Sequence, residues 1–336
     1  MSEVSPVTAS ATLLHAEAVL ALALPRFGYS SDLIPEQLPV SENVSYRIRP
    51  EGRPAVVVRI SRPGGHPLRV RESELAWLAS LGQSADSLVP AVHSSLDGKM
   101  VITVRPPGST LDYHVSLFEC VEGQHPAEDD FAAVMPTLGT ITAHLHEHAT
   151  RWQRPTWFTR PDWDLDAAFG TGARWGDWRA GVDDIHEVEH LTRVESFVRR
   201  RLQSYGSGAD RYGLIHADLR AANLLVNGER CRLIDFDDCG PGWFMYDLAT
   251  ALTFAEDHAR SPEFIGEWLD GYRSVRELSV EHEREIDTFL LMRRMLTIAF
   301  LGNNPDIAVS REMLPGLARR TCDWSEGILN REAASL

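Results

Sequence analysis

The sequence predicts an α+β protein with a β-rich first part and a mainly helical second part. Residues 40–105 contain short segments rich in β-branched residues, separated by turn-forming motifs. After about residue 125 the apolar residues instead recur at intervals of three and four, as in amphipathic helices. A length of 336 residues exceeds one ordinary compact core and fits two domains or one large bilobal unit.

The first part reads as a small sheet that carries one helix. The segments "VSYRIRP", "AVVVRIS" and "MVITVRP" predict strands, and "EGRP", "PGGHP" and "DGK" predict turns. Between the second and third strands, "RESELAWLASLG" predicts a helix with Gly82 as its C-cap. Upstream, "ATLLHAEAVLALALPRFG" predicts an amphipathic helix; it has no basic leader and contains His15 and Glu17, which argues against a signal peptide.

The change from strand-like segments to helical periodicity suggests three parts: an N-terminal lobe over residues 1–118, a hinge over 119–124 and a helical lobe over 125–336. Two helices are clearest in the last part, "FAAVMPTLGTITAHLHEHATRW" and "EIDTFLLMRRMLTIAFLGN". The stretch 161–190 is rich in Asp, Trp and Gly and has few signals of regular structure. It is either a surface insertion or a loop that contacts a substrate.

Composition excludes several functions. The formal net charge of -15 is unfavourable for nonspecific nucleic-acid binding, which needs a basic face. No apolar run reaches the roughly 18 residues needed to span a bilayer, so we expect no membrane partner. The four cysteines show no CxxC spacing, which fits a reducing compartment and a cytoplasmic protein without structural zinc or disulfides.

The stretch "LIHADLRAANLLVNGERCRLIDFDDC" places polar residues between apolar runs. "LLV" and "CRLIDF" predict two strands joined at "NGER". A loop of Asn227 and Gly228 alone sets Asn223 opposite Arg232, whereas a four-residue loop sets Asn223 opposite Ile234 and beside Asp235. We expect the second register, because it brings an amide oxygen and a carboxylate together.

Oxygen ligands of this kind suit Mg²⁺, which proteins usually hold through one or two carboxylates plus substrate phosphates. Asp218, five residues before Asn223, is then available to accept a proton from an attacking hydroxyl. Phosphoryl transfer needs little more from a protein than alignment and charge neutralisation. The pattern therefore predicts a magnesium nucleotide as ligand.

These motifs resemble the catalytic core of the aminoglycoside phosphotransferase and choline kinase superfamily, whose bilobal fold is similar to that of protein kinases. "HADLRAAN" matches the catalytic loop, "LIDFDD" the Asp-Phe-Gly element and "GWFMYDLA" the segment that follows. The resemblance implies ATP or GTP and Mg²⁺ as cofactors. It also implies roles for five residues: Asp218 as the base, Asn223 and Asp235 as magnesium ligands, Asp247 as a brace of the loop, and His216 as a residue that orients the loop backbone, with a direct catalytic role of His216 as the alternative.

The resemblance further implies a cation on an early strand and a carboxylate on the following helix. Arg59 fits the first role, and Val57 lies two residues earlier on the same strand face, toward the nucleotide. An Arg can bridge phosphate oxygens in place of the Lys that many relatives have. On the helix we expect Glu74, with Glu72 as the alternative.

Other nucleotide contacts follow by position. "LPVSENVSYRI" stands where a glycine-rich phosphate loop would be but has no glycine, so small polar residues would serve there: Ser41, Asn43 and Ser45. "SLFECVEG" is similar to the interlobe hinge, whose backbone from Glu119 to Val121 would meet the adenine.

Several charged residues are candidates for contacts with phosphate or acceptor. Arg220, two residues after the base, would either neutralise the transferred phosphate or form a structural salt bridge. Asp237, Asp238, Glu256 and Asp257 would meet an acceptor ammonium group or a second Mg²⁺, or would remain solvated. His144 and His148 have a spacing seen in metal sites, but no third ligand is evident, and we interpret them as ordinary helix residues.

The leading hypothesis is a kinase that moves the γ-phosphate to a hydroxyl of a small, amine-bearing metabolite or antibiotic, as a monomer or homodimer. A protein Ser/Thr kinase of the same fold is one alternative. It is disfavoured because no Ala-Pro-Glu-like segment lies between Asp235 and Asp247. A pseudokinase is disfavoured because base and metal ligands are all present.

Overall fold

The computed structural model describes residues 9–39, 43–82, 87–127, 131–228 and 230–334. Its contacts divide the chain into two compact units. The first contains residues 1–124, 153–160 and 224–237, and the second contains 125–152, 161–223 and 238–336. The first unit thus takes in two later segments besides the N-terminal part. None of the helices in the described ranges has the length and apolar character needed to cross a membrane.

A six-stranded antiparallel sheet forms the centre of the first unit. The strands are β1 (Glu36–Gln37), β2 (Val44–Ile48), β3 (Val56–Ser61), β4 (Val92–His93), β5 (Val101–Val104) and β6 (Tyr113–Glu119). The central strand β3 is hydrogen-bonded on one side to β2, which pairs with β1, and on the other to β6. Both β4 and β5 pair with the far edge of β6.

Two helices accompany this sheet. Helix α1 (Ala9–Ala23) buries residues spaced by three and four, including Ala16, Val19 and Leu20, in one core with Val58 and Val115 of the sheet. Helix α2 (Leu68–Leu81) ends where the sequence predicts, because the N–H of residue 82 donates to the carbonyl of residue 78. The early helix, the strands and the sheet helix are confirmed, and so is the α+β class.

A separate hairpin in the first unit joins β8 (Leu224–Asn227) to β9 (Arg230–Leu233). Leu224 lies opposite Leu233, which is the register that the longer loop required. The expected loop length is wrong, however, because Asn227 pairs with Arg230 and only residues 228 and 229 lie between the strands. Gly228 has φ 60°, and this left-handed backbone lets the chain reverse in two residues.

The second unit is mainly helical, with one two-stranded sheet of β7 (Tyr212–Ile215) and β10 (Gly240–Trp243). Its helices are α3 (Phe131–Arg151), α4 (Leu165–Phe169), α5 (Ile185–Tyr205), α6 (Tyr246–Ala251), α7 (Ser261–Arg273), α8 (Val280–Glu283), α9 (Ile286–Asn303), α10 (Ala308–Met313) and α11 (Leu317–Ala333). Helices α3 and α7 pack so closely that a Cβ on Gly139 would lie 2.0 Å from the carbonyl oxygen of Trp268. Helix α9 is buried along nearly its whole length.

Helical segments begin within the Asp- and Trp-rich stretch 161–190, and its aspartates cap their N-terminal ends. The side chain of Asp164 accepts from the N–H of residue 167, that of Asp177 from residue 179, and that of Asp184 from residue 186. Such capping satisfies helix N–H groups that have no partner inside the helix. The stretch is therefore ordered, and its Trp163 lies beside β10, donating its backbone N–H to Pro241.

Candidate active site

The loop that follows β7 is held through its backbone by Asp247, the second residue of α6. Its Oδ2 accepts the backbone N–H of His216 at 3.1 Å, and its Oδ1 accepts that of Ala217 at 2.7 Å. Ala217 has φ 66°, a left-handed conformation that costs a non-glycine residue energy. Two charge-assisted hydrogen bonds to a fully buried carboxylate therefore hold a strained turn in place.

A buried chain of hydrogen bonds fixes that carboxylate in turn. His146 of α3 lies with Nε2 3.0 Å from Oδ2 of Asp247 and with Nδ1 3.0 Å from the hydroxyl of Tyr272. Burial lowers the pKa of His146 despite the nearby carboxylate, so the ring is neutral. Nε2 then carries the proton and donates to Asp247, while Nδ1 accepts from Tyr272, whose oxygen accepts from Arg276.

Two further groups position the loop backbone around residue 218. The N–H of Asp218 donates to Nδ1 of the buried His216 at 3.3 Å, and the N–H of Leu219 donates to the hydroxyl of Thr250 at 2.9 Å. In the structure His216 therefore acts on the backbone of its own loop.

The carboxylate of Asp218 accepts hydrogen bonds from three side chains, those of Arg293, Arg220 and Asn223. Nη2 of Arg293 donates to Oδ1 at 3.1 Å, and Nη2 of Arg220 donates to Oδ2 at 3.0 Å. The Nε of Arg220 forms an ion pair with Oδ1 at 2.9 Å. Burial raises the pKa of Asp218, but Arg220 and Arg293 outweigh burial, so the pKa falls below its usual range. The group is a carboxylate near neutral pH, as a proton acceptor must be.

Asn223 completes the loop, and its amide has a defined orientation. Nδ2 donates to the backbone oxygen of Asp218 at 2.7 Å and to Oδ2 of the same residue at 3.0 Å. Because the nitrogen is used in this way, the amide oxygen is the atom of Asn223 that remains to coordinate a cation. The donor chemistry of the residue therefore fits a hard metal ion such as Mg²⁺.

Arg293 is a site residue that the sequence did not single out. It lies in the middle of α9, and its side chain is only 5% exposed. Besides Asp218, it contacts the hydroxyl of Thr253 through Nε at 2.9 Å and that of Tyr246 through Nη1 at 3.4 Å. Its guanidinium also lies 5.1 Å from the ring centre of Trp175. The detectable signal is a pair of arginines inside a helix that is otherwise apolar, since a buried arginine needs partners.

In the first unit, Arg59 and Glu74 form a buried ion pair. Nη2 of Arg59 lies 2.7 Å from Oε1 of Glu74 and 2.9 Å from Oε2. Glu72, the alternative partner, instead pairs with Arg69 at 3.0 Å on a partly exposed face. Burial lowers the pKa of Arg59, but Glu74 more than compensates, so the arginine stays charged.

The other expected nucleotide residues of the first unit are distributed around this pair. Ser45 on β2 lies directly opposite Arg59 in the sheet, and Val57 lies on the same strand face as Arg59. The backbone N–H of Glu119 donates to Ala91, and its carboxylate pairs with Arg232 at 2.6 Å. Asn43 donates to Oδ2 of Asp237 at 3.1 Å, while Ser41 lies outside the described residues.

The end of β9 leads into two carboxylates with different surroundings. Asp235 is exposed and has φ 64°, a left-handed conformation that is uncommon outside glycine. Asp237 is enclosed by cations: Arg71 lies 3.5 Å away, and Arg160 donates to its backbone oxygen. Burial raises the pKa of Asp237, but the arginines outweigh it and lower the pKa to about 2. Asp237 anchors the segment that presents Asp235.

The other three acceptor candidates differ sharply. Glu256 is 1% exposed and pairs with Arg294 at 2.9 Å, and Asp257 pairs with the same arginine at 2.6 Å. Both carboxylates thus serve a buried ion pair. Asp238 pairs with Arg174 at 3.0 Å, and its side chain keeps 32% exposure. Among these three, Asp238 is the carboxylate best placed to meet a ligand.

Two residues of the stretch 161–190, Trp163 and Arg174, contact Asp238. The indole N–H of Trp163 donates to its backbone oxygen at 2.8 Å, and Arg174 lies 4.0 Å above the ring centre of Trp163. Burial raises the pKa of Tyr246 to about 12, with smaller contributions from the charges of Asp238 and Asp218. The charges of both carboxylates therefore act on the hydroxyl of Tyr246.

His144 is exposed, and within the described ranges no group of three or more His, Cys, Asp or Glu side chains is arranged to hold an ion. The interpretation of His144 and His148 as ordinary helix residues stays a prediction. Between them in the "HLHEH" run lies His146, the histidine that contacts Asp247.

The chain belongs to the phosphotransferase enzyme family, whose model matches residues 37–284. The suspected superfamily and its protein-kinase-like fold class are thereby confirmed, and the protein is a kinase. It is 40% identical to a structurally characterised microcompartment-associated aminopropanol kinase, with a TM-score of 0.84 over 93% of this chain and 97% of that one.

Two further comparisons involve amicoumacin kinases. The chain is 27% identical to the amicoumacin kinase of Bacillus subtilis (strain 168), over 91% of this chain and 92% of the relative. A solved amicoumacin kinase in complex with AMP-PNP, Ca²⁺ and its antibiotic has a TM-score of 0.70 at 22% identity, covering 86% of this chain and 88% of that one. The latter likeness shows the fold alone.

Proposed function

We propose that the protein transfers the γ-phosphate of ATP to the hydroxyl of a small amino alcohol. The observation that carries this proposal is the Asp218 loop, in which a largely enclosed, ionised carboxylate is held by hydrogen bonds and accepts one from the amide nitrogen of Asn223, whose amide oxygen is left for a cation. Phosphoryl transfer depends mainly on such positioning and on charge neutralisation. The divalent metal of the amicoumacin kinase complex supports a metal nucleotide as the donor.

In the proposed reaction Asp218 accepts the proton of the acceptor hydroxyl while the hydroxyl oxygen forms a bond to the γ-phosphorus. The bond from that phosphorus to the bridging β-phosphate oxygen breaks, and ADP leaves. Mg²⁺, when bound with the nucleotide, would neutralise phosphate charge through Asn223 and Asp235. Arg59, held by Glu74, supplies a fixed cation for the phosphates. Val57, Ser45, Glu119 and Val121 are the proposed contacts of the nucleotide in the first unit.

The acceptor class rests on two observations. The first is the 40% identity to the aminopropanol kinase across nearly the whole of both chains. The second is Asp238, a partly exposed carboxylate whose charge, like that of the proposed base, contributes to raising the pKa of Tyr246. A carboxylate at this place would bind a protonated amine through charge-assisted hydrogen bonds. A compact molecule with an ammonium group and a nearby hydroxyl fits both requirements.

A panel of acceptors tests this proposal. The protein is incubated with Mg-ATP and 1-amino-2-propanol, ethanolamine, choline, homoserine, an aminoglycoside or amicoumacin, and new phosphomonoesters are detected by ³¹P NMR. We expect the highest kcat/KM with a short primary amino alcohol. Equal turnover of 2-propanol, which lacks the amine, would contradict a role for the ammonium group of the acceptor. Exclusive turnover of amicoumacin would show that the acceptor is an antibiotic and not a small amino alcohol.

A further inference from the structure

The carboxylate of Asp218 is already closely surrounded by donors. Oδ2 accepts from Nη2 of Arg220 at 3.0 Å and from Nδ2 of Asn223 at 3.0 Å. A carboxylate oxygen offers about two acceptor positions, so Oδ2 is fully used. Oδ1 accepts from Nη2 of Arg293 at 3.1 Å, and Nε of Arg220 lies 2.9 Å from the same oxygen in an ion pair without a hydrogen bond. The Arg220 guanidinium therefore stands against both oxygens, and an incoming hydroxyl reaches the base only after one of the present groups leaves.

Arg293 is not the donor that leaves. Its side chain is 5% exposed, and every nitrogen of its guanidinium has a separate partner: Nη2 binds Asp218, Nε binds Thr253 and Nη1 binds Tyr246. Withdrawing it would strand a buried cation and break three contacts, and such uncompensated buried charge is strongly unfavourable. Asn223 is similarly fixed, because its amide also binds the backbone of residue 218.

Arg220 differs on each count. Its side chain is 39% exposed, and its side-chain contacts within the described part of the chain are both with Asp218. Water can replace those contacts when the side chain swings outward, so departure strands no buried charge. An exposed arginine next to the base would also be attracted by the negative charge of a bound triphosphate.

We infer that Arg293 is a positioning residue that holds Asp218 throughout the reaction, whereas Arg220 is an exchangeable cap that leaves the carboxylate as the acceptor hydroxyl binds. This inference rests on the proposed function. Arg220 excludes the acceptor hydroxyl from the base in the free enzyme and supplies a cation for the transferred phosphate once displaced. Arg293 fixes the rotamer of Asp218, so the vacated position points toward the acceptor.

Four variants separate the two roles: Arg220→Met, Arg220→Lys, Arg293→Met and Arg293→Lys. Acceptor affinity is measured by calorimetry with 1-amino-2-propanol and Mg-ADP present, and kcat and KM are measured for both substrates. For Arg220→Met we expect unchanged or several-fold tighter acceptor binding with a kcat reduced about 100-fold. For Arg293→Met we expect acceptor binding at least tenfold weaker, a reduced kcat, an ATP KM within twofold, and partial rescue by Arg293→Lys.

Matched controls exist for both arginines. Arg179 is 44% exposed, stacks on Trp178 and pairs with Asp177, so Arg179→Met removes a comparable surface arginine of the same unit. Arg294 is 1% exposed, adjoins Arg293 on α9 and stacks on Trp324, so Arg294→Met reports the general cost of losing a buried arginine. Equal weakening of acceptor binding by Arg220→Met and Arg293→Met would overturn the inference, as would Arg293→Met kinetics identical to those of Arg294→Met.

A second readout needs no turnover. In ¹⁵N-labelled protein the arginine Nε–H signals of the two residues are assigned from their Lys variants. We expect slow hydrogen exchange for Arg293, whose Nε donates to Thr253 in the interior, and fast exchange for Arg220. Mg-AMP-PNP should shift the Arg220 signal and leave that of Arg293 in place. Equal exchange, or equal shifts, would overturn the inference even if no acceptor is turned over, whereas absent turnover with this distinction intact would count against the proposed function alone.

Discussion

Nε2 of His146 lies 3.0 Å from Oδ2 of Asp247, and both side chains are completely buried. Asp247 in turn accepts the backbone N–H groups of residues 216 and 217, so a histidine on α3 supports the loop of the proposed base. The contact links sequence positions 101 residues apart.

Loss of this histidine should weaken both stability and the loop. His146→Ala leaves Asp247 and the hydroxyl of Tyr272 short of a buried partner, and we expect a loss of about 2 kcal/mol in the free energy of unfolding. Urea unfolding measures the loss, with the exposed His144→Ala as a control that should stay within about 0.5 kcal/mol. Equal effects of the two substitutions would contradict the support role.

The same histidine should make stability depend on pH. Burial lowers the pKa of His146 in the folded protein below the ordinary value of about 6.5. The unfolded chain then binds more protons, so the free energy of unfolding falls as the pH drops below about 6.5, by up to about 1.4 kcal/mol per pH unit for one group. The free energy of unfolding, measured at several pH values between 5 and 8, should depend less on pH for His146→Gln than for the unchanged protein. An equal pH dependence in the two proteins would show that His146 titrates alike in the folded and unfolded states.

The strained backbone at Ala217 should cancel the usual cost of a substitution by glycine. Ala217→Gly relieves a φ of 66°, so we expect no net loss of stability, because strain of roughly 1–2 kcal/mol offsets the added chain entropy. Ala221→Gly, in the short helical turn of the same loop, should instead cost about 0.5–1 kcal/mol. Thermal unfolding compares the two variants, and a larger loss at residue 217 than at 221 would contradict the strain argument.

Glu74 and Glu72 offer a direct comparison on α2. Glu74→Ala leaves Arg59 buried without its partner, and we expect a loss of about 3 kcal/mol and a raised KM for ATP. Glu72→Ala removes a partly exposed pair with Arg69, and its effect should stay below about 0.5 kcal/mol with the ATP KM unchanged. The assignment fails if nucleotide affinity responds to Glu72 and not to Glu74.

The acceptor role of Asp238 predicts a selective kinetic defect. Asp238→Asn keeps the shape of the side chain but removes its charge, so the KM for a primary amino alcohol should rise about tenfold or more. Asp257→Asn provides the control, because Asp257 pairs with Arg294 inside the same unit. Steady-state kinetics with each amino alcohol should show a change for Asp238 alone and no change in the KM for ATP.

Much of the site was predictable because its residues lie close together in sequence. "HADLRAAN" and "LIDFDD" place the proposed base, the amide and the second carboxylate within 18 residues, where spacing alone carries information. Strand alternation and helical periodicity also sufficed for the sheet and for α2, α3 and α9.

The missing parts act over long sequence separations. Arg293 reaches Asp218 from 75 residues away, and Arg71 reaches Asp237 from 166 residues away. No local pattern specifies such partners, because they depend on which helix faces meet in the folded core. Within "HLHEH", spacing drew attention to His144 and His148, but burial selects His146. The hairpin loop was predicted too long because Asn227 joined the strand instead of the turn.

The role of Asp218 as the base for phosphoryl transfer is tested by Asp218→Asn. Asn keeps the size of the side chain but cannot take a proton from the acceptor hydroxyl. Single-turnover transfer from Mg-ATP to 1-amino-2-propanol is followed by ³¹P NMR, and ATP affinity is measured in parallel. We expect a rate lower by roughly 100-fold or more with an ATP Kd within about threefold. A near-normal rate in this variant would contradict the role of Asp218 as the base.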